Sequence, residues 1–494
     1  MQFNSSRAPF SLSLICSALL LSACGSSDKN SAPTLSGELN PSVLENTTLV
    51  ANYTANDPDG DAITLTISGG DSDLFTITQQ GELSFKTAQD FETAGKTTFS
   101  VTLTATENEA DKLSTSLNIT VSLGDVKDTP DFAAVQTIAP DYTSSEVVFV
   151  DALNQQVETG YYVKAKSDYT VASYNSDLFH IGRFFIDTID KYNVAEKDAA
   201  VWSYSTQDDQ DSTSRNPYTL VSLSDTKAYL LRYGSGKVWI VNPQATQQKD
   251  FKIGELDISA YSNDNKNGTP SPSAAVILDD KLYIAMQRQN DNFSAGTAYV
   301  AVFDTATDEE IETNANSEDS FKGIPLAGVN PLENSIIAAN DKIYVTTRSG
   351  YSAPSLELSR IEEISPADYS VKSVLTAKDI ENNTSGYISG TAIVSAEKGY
   401  FYSSEAFFTP SYHVKSTLHE FNPTSGEIVA SGIANTGETA ISNIKLDSAN
   451  FLWMSIGDPT APGVDILNTN TNEKYKDRLT TELNPSSIAF LAEQ

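Results

Sequence analysis

The sequence predicts an all-β chain, a small β-sandwich followed by a seven-bladed β-propeller, and three observations carry this. Val, Ile, Thr, Tyr and Phe recur in short alternating runs, the pattern of half-buried strands. Long apolar periodicity at helical spacing is absent, which argues against amphipathic helices. From about residue 139 the text repeats itself at intervals of 54, 61 and 56 residues, a period suited to four-stranded blades that bury their faces on one another.

The first element is a targeting segment. Arg7 precedes an apolar run from Ala8 to Leu21, and small residues lead into Cys24, as in a secretory signal. The run is short and Ser-rich, where a membrane span needs about 20 apolar residues. Leu21-Ser-Ala-Cys24 resembles the lipobox of bacterial lipoproteins. That resemblance implies removal of residues 1–23, a diacylglycerol thioether on Cys24 and an acylated amino group. Several acyl chains anchor durably where one is marginal. Gly25, where Asp would imply inner-membrane retention in enterobacterial sorting, points to the outer membrane. Residues 24–33 then form a lipidated cysteine and a flexible polar tether. Cys16 and Cys24 are the only cysteines, so the processed chain has no disulfide, Cys-ligated metal or Cys nucleophile.

A formal charge of −33 excludes the basic footprint of a nucleic-acid binder and disfavours docking on anionic lipid through charge. Roughly 470 residues remain after processing, room for two or three cores.

Residues 34–131 read as the sandwich. Its strands include Ala62-Ile-Thr-Leu-Thr-Ile67, Leu83-Ser-Phe85, Phe99-Ser-Val-Thr-Leu-Thr-Ala105 and Leu117-Asn-Ile-Thr-Val-Ser-Leu123. Carboxylates punctuate them at Glu45-Asn46, Asp57-Pro-Asp59-Gly-Asp61, Asp90-Phe-Glu92 and Asp125-Val-Lys-Asp128. In this order, with Phe75-Thr-Ile-Thr and Gly81-Glu-Leu between them, they make the segment similar to a cadherin repeat. The resemblance implies calcium ligation by Glu45, Asp57, Asp59, Asp90, Glu92, Asp125 and Asp128. Calcium takes six to eight hard oxygen ligands, and clustered carboxylates welcome its charge. Lys127 departs from the family's Asn, proline arrives one residue early, and there is no second repeat to complete a junction. The alternative is that these acids are solvated turns, for which Asp57-Pro-Asp-Gly is well suited. As an EF-hand loop the stretch fails, with Ala62 in the glycine position and Ser68 in that of the terminal Glu.

Residues 132–494 read as the propeller. Lys227-Ala-Tyr229, Lys281-Leu-Tyr283, Lys342-Ile-Tyr344 and Lys398-Gly-Tyr400 are successive copies of Lys-x-Tyr, and Asn450-Phe-Leu-Trp453 is a degenerate fifth. Each is followed by a further strand, such as Lys237-Val-Trp-Ile-Val241 or Tyr299-Val-Ala-Val-Phe303. Phe179-His-Ile-Gly-Arg-Phe184 begins an earlier copy. The ends supply a seventh, with Ser486–Leu491 beside Glu146–Val150, a closure that removes free sheet edges. On Asn216-Pro-Tyr218 and Trp239-Ile-Val-Asn-Pro243 the region resembles the seven-bladed propellers of bacterial surface proteins, which implies architecture and not activity.

The loops between second and third strands are rich in Arg and aromatics: Arg232-Tyr233, Arg288, Arg348 with Tyr351, and Phe408 with Tyr412-His413. Three arginines at equivalent positions, converging on the channel mouth, would clamp a carboxylate or phosphate, with aromatics supplying stacking area. The alternative is that each pairs within the fold. Catalytic motifs are absent: there is no Gly-x-Ser-x-Gly elbow, paired-histidine zinc motif or phosphate loop. His180 and His419 fall in strand-like runs, where packing is the expected role. The sequence thus predicts a non-enzymatic, lipid-anchored envelope protein. Its calcium-binding sandwich precedes a propeller that binds a protein, glycan or small ligand in adhesion or surface recognition. Capture of a ligand for an outer-membrane transporter is one alternative. A calcium-dependent propeller hydrolase using Asn216, Asn330, Glu405 and Asn443 is another.

Overall fold

The computed structural model describes residues 29–91, 94–108, 110–263, 268–292, 294–314 and 319–492. The predicted signal peptide, Cys24 and Glu92 lie outside these. Two compact units divide the chain between Lys127 and Asp128, and the fold is all-β: an Ig-like sandwich, then a propeller.

In the first unit, strands Ser42–Leu44, Ser114–Gly124, Thr98–Glu107 and Ile63–Ser68 form one sheet in that order, the first pair parallel. Leu49–Asn52, Glu82–Phe85 and Phe75–Ile77 form a second, and Thr34–Ser36 pairs with Thr54–Asn56 in a third. Strict alternation along Thr98–Glu107 turns Phe99, Val101, Leu103 and Ala105 inward, as the two-residue period of a strand requires. Phe75 stacks on Phe85 at 4.3 Å and Phe85 meets Phe99 edge-on at 5.2 Å. Gly81 has φ +89°, and a Cβ there would lie 1.9 Å from the Tyr53 carbonyl oxygen, so the turn admits no side chain.

Among its described residues the second unit holds seven antiparallel sheets of at least four strands. In chain order, six begin at an innermost strand: Tyr169–Tyr174, Pro217–Ser224, Pro272–Leu278, Ile336–Ala339, Tyr387–Ile393 and Ala440–Leu446. The remaining sheet is assembled from both ends of the unit. Asn484–Leu491 pairs with Phe132–Ile138, which pairs with Ser145–Asp151 and through it with Gln156–Lys164. The C-terminal strand therefore joins the sheet foreseen for it, one strand further in than Glu146–Val150. Outer strands carry apolar residues on both faces, because each sheet is sandwiched between neighbours. Tyr229 and Leu231 pack toward the sheet of Leu282 and Ile284, while Ala228 and Leu230 pack toward that of Phe179 and Ile181.

The Lys-x-Tyr repeat opens the second strand of its sheet, and in two copies its tyrosine hydroxyl bonds the next sheet. The Tyr229 hydroxyl donates to Asp308 at 2.9 Å, and Lys227 Nζ donates to the same carboxylate at 2.8 Å. Asp308 lies just past the third strand, Tyr299–Asp304, of the following sheet. Tyr400 likewise donates to the Thr469 carbonyl at 3.3 Å and to Asn472 at 2.5 Å.

Candidate functional site

The two ends of the sandwich bury one carboxylate each. Glu45 and Glu107 are both 1% exposed, and a buried carboxylate must be compensated.

At one end Glu45 is fully used. Its Oε2 accepts from Phe91 N at 2.6 Å and its Oε1 from Val126 N at 2.8 Å. The side chain thereby ties the Asp90 turn to the exit of the last strand. Asp90 and Asp125 remain exposed beside these anchor points. Asp128 falls in the second unit.

At the other end the compensation is incomplete. Glu107 continues the inward alternation of its strand and so carries an acid on the core-facing side. Its Oε2 accepts from Asn30 Nδ2 at 2.6 Å, while Oε1 has no partner. Asn30 Oδ1 and Asp57 Oδ2 are likewise buried and unpartnered. Asp57 Oδ1 shapes its own turn, accepting from the amides of Asp59 and Asp61 at 2.8 and 3.1 Å. Asp59 accepts from Ser31 N at 2.7 Å, drawing in the segment that carries Asn30. Among the described residues no group of three or more His, Cys, Asp or Glu side chains is arranged to hold a metal. The set here is two carboxylates and an amide with three unclaimed oxygens, a hard-donor chemistry that suits calcium. Sequence reasoning named Asp57 and Asp59 but missed Asn30 and Glu107. The signal was available: an acid in phase with Phe99, Val101, Leu103 and Ala105.

On the propeller, two of the three expected arginines do not converge on a shared mouth. Arg232 is buried, pairs with Asp211 and lies 4.2 Å over the Trp239 ring of its own sheet. Arg288 is buried and donates to the carbonyls of Tyr261 and Thr297 at 2.8 and 3.0 Å, over Tyr299 and Phe321. Arg348 lies between Tyr351 and Tyr387 at 4.6 and 5.2 Å. Tyr233 stacks on Tyr218 and donates to Gln287.

The loops themselves are distinctive. Among the described residues, the large exposed aromatics are Tyr142, Phe184, Phe185, Tyr351, Phe408 and Tyr412. All six lie between the second and third strands of a sheet, and so on equivalent loops of one rim. Phe408 and Tyr142 are 76% and 74% exposed. Phe184 and Phe185 contact each other at 4.2 Å, as do Phe408 and Tyr412 at 5.6 Å. His413 stacks on Phe407 beneath that tip. Tyr142 and Phe185 have φ of 60° and 57°, a left-handed backbone that is unfavourable for bulky side chains. Tyr142, Phe184 and Phe185 were missed in sequence because their sheets lack the Lys-x-Tyr marker that locates such loops elsewhere.

Closer to the axis, Glu333 accepts from Thr170 at 2.8 Å and pairs with Arg183, which also donates to Asp168 at 2.7 Å. Burial holds His180 and His419 neutral, pushed down to about 3 and about 4. His419 links the hydroxyls of Ser403 and Ser431 at 2.9 and 2.8 Å.

Residues 30–122 match the family model described as a bacterial Ig domain. No curated protein matches the chain. Solved structures similar to it include apo AztD from Citrobacter koseri, at 12% identity and TM-score 0.40, over 73% of this chain and 98% of that one. The Dos1 propeller is similar at 10% identity and TM-score 0.42, over 73% and 86%. Drosophila N-cadherin EC1-3 is similar at 24% identity and TM-score 0.18, over 20% of this chain and 35% of that one.

Proposed function

We propose that this chain is a non-catalytic envelope protein, anchored by lipid at Cys24 and resident in the outer membrane, whose propeller recognises a protein or glycan at a cell surface. In this reading the seven sheets are seven blades, closed by the C-terminal strand. The observation that carries it is the concentration of exposed aromatics on one set of equivalent loops. Solvent-facing apolar patches mark interaction surfaces, and aromatic side chains supply large contact area at low entropic cost.

The test is binding of the purified chain to intact cells and to extracted surface polysaccharide. The double variant Phe408→Ser with Tyr412→Ser is expected to weaken binding at least tenfold at unchanged melting temperature. Wild-type binding by that variant, and by Phe184→Ser with Phe185→Ser, would remove the rim from the reading. Loss of lipid labelling in Cys24→Ser checks the anchor.

A second reading concerns the cadherin-like character of the sandwich. The unclaimed oxygens of Asn30, Asp57 and Glu107 favour calcium at that end, with Asp59 holding the segment that carries Asn30. Calcium would there stiffen the sandwich rather than contact the propeller's ligand.

A further inference from the structure

The seven innermost strands of the propeller are almost devoid of charge. Tyr169–Tyr174, Pro217–Ser224, Pro272–Leu278, Ile336–Ala339, Tyr387–Ile393 and Asn484–Leu491 contain no Asp, Glu, Lys or Arg, and Ala440–Leu446 contains one, Lys445. In a chain of net charge −33, these seven strands thus bear one charge, and it is positive.

Five of these strands or their approaches surround a cavity of about 340 Å³, lined mainly by Ala275, Ile336, Ala338, Ala392, Ile444 and Lys445. That volume falls at the small end of ligand pockets, roughly 300–1,000 Å³, which combine apolar walls with a few placed polar groups. The Lys445 side chain is accessible from the cavity. Its Nζ donates to the Ile488 carbonyl at 3.0 Å and sits 5.3 Å over the Phe490 ring. An ammonium has three donors, and no carboxylate pairs with this one among the described residues. The side chain is exposed to solvent within the channel, and the protein surrounding it there lowers its ammonium to about 8.

We propose that this central cavity binds a small apolar monocarboxylate, its carboxylate on Lys445 and its hydrocarbon against the alanine and isoleucine wall. A single point charge without the planar fork of an arginine suits one carboxylate rather than a dianion. The wall is mainly apolar, with Thr219, Asn334, Thr391 and Asn443 as its uncharged polar members, which favours an acid with a hydrocarbon chain over one that is polar throughout. The site is separate from the aromatic rim and does not depend on the rim's role.

Hexanoate is the probe, titrated calorimetrically into the full chain at pH 7, with hexanol as the uncharged control. Hexanoate is expected to bind at least tenfold more tightly than hexanol. Lys445→Met, which keeps an unbranched apolar stem, is expected to weaken hexanoate at least tenfold and leave hexanol unchanged. Lys445→Arg retains the charge and is expected to stay within threefold of wild type, which tests the site even if the Met variant folds poorly. Ala338→Leu, which fills the cavity without touching charge, is expected to abolish both heats. No hexanoate binding at millimolar concentration, equal affinity for hexanol, or undiminished binding to Lys445→Met would each overturn the proposal.

Discussion

Glu45 and Glu107 occupy opposite ends of one sandwich, equally buried, and only one of them is finished. Glu45 spends both oxygens on backbone amides and ties two chain segments together. Glu107 spends one on Asn30 and leaves the other unclaimed. The difference separates a structural carboxylate from one poised for a ligand. A buried acid satisfied by the backbone has little to gain from a cation, whereas an unsatisfied one retains a cost that a cation relieves. Position in a motif does not distinguish the two, since the cadherin-like pattern highlighted Glu45 and passed over Glu107.

The largest effect expected to sharpen this contrast is at Glu45. Glu45→Ala removes two hydrogen bonds from backbone amides to a charged group, each worth roughly 1.5–3 kcal/mol. Chemical denaturation of the sandwich should therefore show a loss of about 4 kcal/mol, the same in EDTA and in calcium. A loss that calcium rescues would mean that Glu45 is a ligand after all. Next in size is calcium itself. With a dissociation constant of roughly 10⁻⁴ M, common for extracellular modules, 10 mM calcium amounts to about 100 times that constant and stabilises by about 2.7 kcal/mol. Glu107→Gln is expected to remove the gain and Asp90→Ala to leave it. The reverse pattern would move the site to the Glu45 end.

The propeller supplies the finished case in another form. Asp308 is held by both members of Lys227-x-Tyr229 from the preceding sheet. Tyr229→Phe deletes one hydrogen bond to an acceptor that keeps its lysine, so a cost of about 1 kcal/mol is expected in thermal unfolding. A cost above about 3 kcal/mol would show that the tyrosine, rather than the pair, carries the latch.

How much of this was legible follows from what each signal reports. Strand alternation and the Lys-x-Tyr period are local patterns, and they located the sandwich strands and the sheets that bear the marker. The fate of Arg232 and Arg288 was not local. Equivalent loop positions suggested convergence, but a guanidinium follows the nearest ring and acid, here Trp239 with Asp211 and Tyr299 with Phe321. Asn30 was read as tether because only its contact with Glu107, 77 residues away, gives it a role. Lys445 was invisible for the opposite reason: its meaning is the absence of charge on six other strands, which shows only once the innermost strands are known.

Lys445 is the propeller's counterpart to Glu107, a charge set among apolar groups without a counter-charge, and its titration can break or confirm that parallel. Lys445 is exposed within the channel, yet the protein around it lowers its ammonium from 10.5 to about 8, so the folded state releases a proton between about pH 8 and 10.5 that the unfolded chain still holds. Stability rises with pH wherever the unfolded state binds more protons. The ammonium therefore disfavours the fold at pH 7, and that penalty fades across the window. Lys445→Met is expected to melt above wild type at pH 7, with the gap narrowing toward pH 10. Because the side chain reaches the cavity, water there screens part of the penalty, and the gap is the smallest of the effects described. A constant gap would mean the variant acts by packing alone. A gap that closes at pH 7 on adding hexanoate would tie the unpaired charge to the ligand that relieves it.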